Sequence, residues 1–325
     1  MPIAIPLLNL RFFGALLFSV SLLNTVRSQA GETSSPWADW VEPDYPFFSS
    51  IMDARGTGYG TITGQNLTPR GIILNMGNDC WACFDTDLLR VSAIWSGSGV
   101  TPIALAPKSY HPWGRKTQGG QSELPEPDGD LWLANGIYPG WQTGERLQIS
   151  DPRSPAPSPE ELGRGPLSES HGRFEALQLV GDGVVLEYAI RGILIREHWL
   201  TSMHSDHPVV ERHVEVGPSN LTLKLVAGIT QNTSLSLETG PHNAHVILSQ
   251  EQSRWIVRIP ASQSTTRFSL AISLSSSPPR HSPKEIPSQP PALRWPQEIV
   301  TTGAVSTDER AYVVDDIVLP HDNPW

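Results

Sequence analysis

Apolar and polar residues alternate along much of the chain between residues 184 and 274. In residues 209–216, for example, three valines share one side of the segment, and Glu211, His213 and Glu215 share the other. Strict alternation predicts strands with one buried and one solvated face, which is typical of antiparallel sheets. The segments with this pattern are 184–190, 193–200, 209–216, 221–227, 244–248, 254–259 and 267–274.

Short turn sequences separate these segments. Arg191-Gly192 is a two-residue hairpin signal, and Gly-Pro-Ser-Asn at 217–220 is a second turn. Residues 70–95 have the composition of two or three further strands, and no segment has a sustained period of 3.6 residues. The sequence therefore predicts an all-β fold, a large antiparallel β-sandwich of two layers, with long irregular loops rich in proline and glycine.

The N-terminus predicts export. Arg11 precedes the apolar run 12–26, and Ser28 and Ala30 place small residues where a signal peptidase reads them. Residues 1–30 are therefore interpreted as a cleaved signal peptide, with a periplasmic or extracellular mature protein. The apolar run is shorter than the roughly 20 residues that a membrane span needs.

The mature chain, residues 31–325, is interpreted as one β-sandwich-type domain with three parts. Residues 31–150 are rich in aromatic residues and loops, residues 167–274 carry the strand core, and residues 275–325 combine a Pro-rich loop with a C-terminal strand. The Pro-rich stretch 152–166 is expected to be a linker or a long surface loop.

Aromatic residues are spread through the segment 107–149, which is expected to be irregular. Such side chains could stack on sugar rings, or they could tether the loop to the core. The ligand-binding candidates are Trp113, Trp132, Tyr138 and Trp141. The formal net charge of −10 argues against nucleic acid or an anionic membrane surface as partner.

The only two cysteines form a Cys-x-x-Cys motif, Cys80 to Cys83. Phe84 stands where attachment of haem c requires a histidine, so the chain has no haem c motif and no cofactor is predicted for it. A zinc site would lack a second cysteine pair. Two interpretations remain open: two small buried side chains in a strand, or a local disulfide favoured by an oxidising compartment.

Weaker signals concern metal binding and catalysis. His204, Asp206 and His207 lie between two predicted strands, where a loop could gather them around a metal, although solvated histidines are the commoner case. Glutamates on adjacent strands, among them Glu187, Glu197 and Glu211, could supply paired carboxylates for glycoside chemistry, or could lie on a solvated sheet face. The catalytic alternative would use Glu197 and His204.

Four sequence blocks resemble one known family. Residues 36–40 (PWADW), 66–72 (NLTPRGI), 83–95 (CFDTDLLRVSAIW) and 131–140 (LWLANGIYPG) are similar to an uncharacterised N-terminal domain of large exported bacterial proteins. In that family the domain precedes a β-propeller like those of sugar dehydrogenases and a c-type cytochrome domain. The resemblance implies a β-rich accessory module and supplies no catalytic residues. It also implies that this chain is a truncated or split product whose partners are the propeller and cytochrome domains of a sister chain.

The function expected from the sequence is that of an exported, non-catalytic β module that binds carbohydrate or docks to partner domains of a haem c-containing oxidoreductase system. The first alternative is a carbohydrate-active enzyme, a lyase or a hydrolase. The second is a purely structural domain.

Overall fold

The computed structural model describes most of the chain after residue 44. The described residues are 45–55, 66–101, 124–154, 163–181, 183–230, 232–240, 243, 245–274, 281–288, 300–307, 310, 312–315 and 318. The predicted signal peptide and Trp113 lie outside them.

The described residues form fifteen strands. These are β1 (Phe47–Asp53), β2 (Leu67–Asn75), β3 (Cys80–Asp85), β4 (Arg90–Val100), β5 (Pro127–Ala134), β6 (Trp141–Gln142), β7 (Gly172–Val180), β8 (Gly183–Ile190), β9 (Ile193–His204), β10 (His207–Val216), β11 (Leu223–Thr230), β12 (Ser234–Thr239), β13 (Ile247–Glu251), β14 (Arg254–Ile259) and β15 (Thr266–Ser273). The described part of the chain contains no helix, and hence none long and apolar enough to cross a membrane.

The strands form two antiparallel sheets. The first has nine strands in the order β1-β2-β3-β4-β5-β11-β14-β13, with β6 also paired to β11. The second has six strands in the order β12-β15-β10-β9-β8-β7. Hairpins of neighbouring strands account for most pairings, such as β8 with β9 and β9 with β10.

One apolar core joins the two sheets. Phe84, Ile94 and Leu225 of the first sheet belong to the same buried cluster as Ile195 and Phe268 of the second. The chain is therefore a two-layer antiparallel β-sandwich, which confirms the predicted fold class.

The first sheet is also buried on its outer side. Met52, Ile73, Trp81 and Trp95 form a second apolar cluster there. All six residues of β3 are buried, since its side chains pack alternately into the two clusters. This explains the continuous apolar run Cys-Trp-Ala-Cys-Phe in the sequence.

The outer face of the second sheet is covered by residues 281–288, which we call the strap. Glu211 and His213 were expected on a solvated face, but they are 1% and 0% exposed. The Lys284 backbone N–H donates to Nδ1 of His213 (3.2 Å), and the Ser269 hydroxyl donates to the His281 carbonyl (2.5 Å). The expectation was wrong because alternation separates the two faces of a strand but does not reveal a segment that covers the polar one.

One further expectation differs from the structure. The segment 107–149, expected to be irregular, contains β5 and β6. Gly97 and Gly129 face each other in the β4–β5 pair, and a Cβ on Gly97 would lie 2.2 Å from the Asp128 carbonyl oxygen. The described residues of 275–325 include no strand.

Candidate functional site

A cleft of about 370 Å³ opens beside the turn between β3 and β4. The beginning of β2 forms one part of its wall, and the end of β3 forms another. Loop residues 136–138, 150–153 and 163–165 complete it. Its volume lies in the range of small-molecule sites, about 300–1,000 Å³.

A buried ion pair builds the floor of the cleft. Asp85 is fully buried, and one oxygen of its carboxylate accepts the backbone N–H groups of Asp87 (3.0 Å) and Leu88 (3.2 Å). The other oxygen accepts Nε of Arg90 at 3.0 Å. Arg90 in turn donates through Nη1 to the carbonyl of Ile137 (2.8 Å). These bonds fix the β3–β4 turn to the loop that carries Tyr138, so Asp85 and Arg90 are positioning residues.

The backbone of the same turn binds this loop a second time and also binds one further loop. The Leu88 carbonyl accepts the N–H of Gly140 (3.0 Å), and the Asp87 carbonyl accepts the N–H of Leu167 (2.9 Å). Gly140 approaches so closely that a Cβ there would lie 2.4 Å from the Leu89 carbonyl oxygen. The local sequence 85–90 thus sets the shape of the whole cleft.

Asp87 contributes a carboxylate to the cleft wall. Its side chain forms a salt bridge of 2.6 Å with Arg70, whose own side chain is 57% exposed. Burial raises the pKa of Asp87, and the neighbouring charge of Asp85 raises it further, against the opposing effect of Arg70. Asp87 therefore takes up a proton more readily than an aspartate in water does.

Tyr138 and Arg153 form the opposite wall. The guanidinium carbon of Arg153 lies 5.2 Å from the centroid of the Tyr138 ring. Arg153 donates to the Asp151 carboxylate through Nε (2.9 Å) and Nη2 (2.7 Å), and through Nη1 to the carbonyls of Gly165 (2.9 Å) and Pro166 (2.6 Å). These hydrogen bonds hold the Arg153 guanidinium over the Tyr138 ring, and Tyr138 is half-buried.

The pKa values in this wall follow from the same contacts. Burial raises the pKa of the Tyr138 hydroxyl, which therefore stays protonated at neutral pH. Burial alone would raise the pKa of Asp151, but the hydrogen bonds and charge of Arg153 outweigh it and lower that pKa. Asp87 and Asp151 are thus shifted in opposite directions within one cleft.

The predicted aromatic candidates divide between core and cleft. Trp132 and Trp141 are 1% and 0% exposed. Their indole N–H groups donate to the hydroxyls of Ser96 (3.0 Å) and Tyr188 (2.8 Å). Ligand stacking is therefore wrong for these two residues, which pack in the core. Tyr138 does line the cleft.

The structure does not bring the predicted catalytic residues together. Glu197 is fully buried inside the sandwich, where it pairs with Arg212. His204 is exposed at the far end of the same strand, seven residues away, which corresponds to about 23 Å. Glu187 and Glu211 belong to the opposite face of the second sheet, so neither forms a carboxylate pair with Glu197.

The predicted metal ligands lie on an exposed hairpin. His204 and His207 are cross-strand partners, and Ser205 and Asp206 between them form a tight turn with positive φ values of 48° and 66°. No group of three such ligands that could hold a metal occurs among the residues the structure describes. The structure thus places His204, Asp206 and His207 on one exposed hairpin without gathering them into a set of three ligands, and the metal site stays a prediction.

Cys80 and Cys83 are both free and buried. They are three residues apart in a strand and therefore point to opposite faces, Cys80 into the inner core and Cys83 into the outer cluster. The disulfide interpretation is wrong for this reason. Burial raises the pKa of both thiols to about 12, so neither is a reactive thiolate at neutral pH.

Sequence reasoning missed the paired Asp151 and Arg153 of the cleft. Asp151 and Arg153 lie at the edge of the stretch interpreted as a linker. Their spacing, Asp-x-Arg, recurs at Asp53 and Arg55, and Arg55 also lines the cleft. In both pairs the aspartate accepts the backbone N–H of the arginine at 3.0 Å and also binds its side chain. The repeated Asp-x-Arg spacing was the feature of the sequence that could have identified these residues.

Comparison with known proteins adds one match. No curated protein and no solved structure is similar to the chain. The family match begins in β3 and ends in β9, and it contains the β3–β4 turn, Tyr138 and Arg153. Residues 82–197 match the model of a domain of unknown function, DUF6797.

Proposed function

We propose that this chain is an exported, non-catalytic binding module that takes a carbohydrate into the cleft beside the β3–β4 turn. The observation that carries the proposal is the composition of the cleft wall, where the half-buried Tyr138 ring lies among arginine and aspartate side chains. An aromatic face suits the apolar side of a sugar ring. Guanidinium and carboxylate groups suit its hydroxyls, because they supply rigid donors and acceptors.

Binding without catalysis fits the state of the carboxylates. Asp85 and Asp151 are each held by an arginine, at 3.0 Å and 2.7 Å. Carboxylates that are held in this way are suited to orienting a ligand. The resemblance to accessory domains of larger exported proteins supports the same role, beside the propeller and haem c domains of a partner chain.

Screening the full chain on a glycan array, followed by calorimetric titration of the hits, tests this proposal. Replacing Tyr138 with alanine should weaken binding by about two- to tenfold, since an aromatic contact contributes about 0.5–1.5 kcal/mol. Tyr312→Ala is the matched control, because that tyrosine is 93% exposed and does not line the cleft. An empty array together with an empty pull-down of sister domains would overturn the proposal.

A carbohydrate-cleaving enzyme is the second candidate function, and one observation favours it. Asp87 and Asp151 line the same cleft with pKa values shifted apart, as the acid and the base of a glycosidase are. In this case Asp87→Asn would abolish turnover of a bound oligosaccharide while leaving its affinity within about twofold. If the unmodified protein releases no reducing ends from any glycan that it binds, the enzyme candidate fails.

A further inference from the structure

The side chains that line the cleft carry an excess of positive charge. Four arginines and three aspartates contribute to the wall: Arg55, Arg90, Arg153, Arg164, Asp85, Asp87 and Asp151. Each of these aspartates already forms a salt bridge with an arginine, at 2.6 to 3.0 Å. Asp85 and Asp151 pair with Arg90 and Arg153 inside the wall. Asp87 pairs with Arg70, and Arg55 pairs with Asp53, and these two partners lie outside the wall. Among the described residues, Arg164 is therefore the remaining cation of the wall. This contrasts with the chain as a whole, whose formal net charge is −10.

Arg164 carries that surplus at the exposed edge of the cleft. Its Nη1 donates to the backbone carbonyls of Asp151 (2.6 Å) and Arg153. Within the described part of the chain, no carboxylate lies within salt-bridge distance of its guanidinium. One nitrogen is thus anchored to the loop, while Nε and Nη2 remain as donors for an incoming group.

The loop around Arg164 has an unusual backbone. Gly163 and Gly165 both have positive φ, 73° and 71°. A Cβ on Gly163 would lie 2.4 Å from Cγ of Pro69, so the loop lies tightly against β2, whereas a Cβ on Gly165 would meet nothing within 4 Å. The two glycines therefore allow the loop that carries Arg164 to take this shape.

We infer that the carbohydrate bound by the cleft carries a carboxylate, as uronic acids do, and that Arg164 binds this carboxylate. The inference rests on the proposed function, since it names the class of sugar that the same cleft takes. The planar fork of an arginine matches a carboxylate in two parallel hydrogen bonds. Tyr138, which lies beside the same loops through Arg153, contacts the sugar ring whether or not the sugar is charged.

Matched ligand pairs test this inference. The full chain is titrated by calorimetry with oligosaccharides of galacturonic or glucuronic acid and with the same oligosaccharides after reduction of their carboxyl groups to alcohols. The acidic form should bind at least about tenfold more tightly, and this preference should shrink as salt is raised from 0.01 to 0.15 M (these concentrations are about those at which the Debye length falls from 30 to 8 Å).

Two arginine variants test whether Arg164 is the residue that causes the preference for the acidic oligosaccharide. Arg164→Ala should bring the acidic form down to the affinity of the neutral form and leave the neutral form unchanged. Arg173→Ala is the control, because Arg173 is 61% exposed, pairs with Glu175 and does not line the cleft, and it should retain the preference. Arg164 is exposed, and urea unfolding of each variant verifies that it folds normally.

The outcomes separate the two proposals. Equal affinity for the acidic and neutral forms, or a preference that survives Arg164→Ala, would overturn the inference and leave a neutral carbohydrate as the ligand of the cleft. If neither form binds and the glycan array is also empty, the proposed function itself fails.

Discussion

Replacing Arg212 with methionine removes the cationic partner of Glu197 inside the sandwich core. Arg212 donates to the Glu197 carboxylate through Nε (2.8 Å) and Nη2 (2.5 Å). Tyr188 and Trp199 also donate to that carboxylate, Trp199 at 3.2 Å. The two charged side chains are 0% and 2% exposed. The variant therefore leaves a buried carboxylate with two neutral donors and no positive charge.

The expected loss of stability follows from this geometry. Breaking a buried ion pair by removing one partner costs about 3–5 kcal/mol, because the remaining charge is neither solvated nor compensated. That is a large part of the roughly 5–15 kcal/mol by which a domain is stable. The double variant Glu197→Leu/Arg212→Met buries no charge. It should lose only about 1–3 kcal/mol, mainly because the Tyr188 and Trp199 donors lose their acceptor.

Urea unfolding of the four proteins in this double-mutant cycle measures the effect. The coupling energy should be about 3 kcal/mol or more, with similar m-values for all four proteins. The control is the Arg173–Glu175 pair, which has a comparable distance of 2.6 Å but is 61% and 32% exposed. Removing it should leave the free energy of unfolding unchanged within the error of the measurement. A coupling energy near zero in the core, or a loss for Arg212→Met no larger than for the surface pair, would refute the reasoning.

Three further predictions concern other parts of the fold. Cys80 and Cys83 are buried thiols with pKa values of about 12, so they should react with a disulfide reagent only after the protein is unfolded in denaturant. Detection of fewer than two thiols in the unfolded protein would contradict the absence of a disulfide between them. Gly140→Ala should lower the free energy of unfolding, measured in urea, by about 1–3 kcal/mol, and it should weaken carbohydrate binding because the new methyl group displaces the cleft loop. Unchanged stability and affinity would disprove the close approach of Gly140 to the Leu89 carbonyl. Burial raises the pKa of Glu211, but His213 and the nearby cations of the strap outweigh this and lower it to about 2. Because the pKa of Glu211 is lower in the folded protein than its value of about 4.5 in the unfolded chain, its ionised carboxylate stabilises the fold at pH values above 4.5. This stabilisation is lost as the pH falls from about 4.5 to about 2, so the free energy of unfolding should decrease by about 2 kcal/mol over that pH range, after allowance for solvent screening. Glu211→Gln should flatten the drop, and an unaltered acid profile would refute the assignment.

Strands whose apolar and polar residues alternate were predictable from the sequence, and strands without this alternation were not. β14 was predicted with its observed bounds, and β8, β10 and β15 were each predicted to within two residues at either end. β5 begins with Pro-Asp-Gly-Asp and has no alternating pattern. Its pairing depends on the close approach of Gly97 to the β5 backbone, which is a tertiary contact and leaves no periodic signal.

The candidate site was predictable only in part, for a similar reason. Tyr138 was among the predicted ligand residues because aromatic side chains are informative wherever they occur. Asp151 and Arg153 have a recognisable local spacing, but nothing in the sequence places that turn against Tyr138. Asp85 and Arg90 form their ion pair locally, since they flank one turn. Conversely, Glu197 looked solvated because its burial depends on a partner, Arg212, in the next strand.

Carbohydrate binding at the cleft is tested most directly by the ratio of two dissociation constants. Calorimetric titration of Tyr138→Ala and of Tyr312→Ala with the same glycan, at the same salt concentration, compares a tyrosine of the cleft wall with one that is 93% exposed elsewhere. Binding in the cleft predicts that the first dissociation constant is about two to ten times the second, and that the second equals that of the unmodified protein. Equal constants for the two variants would contradict it, because the ligand would then bind away from Tyr138.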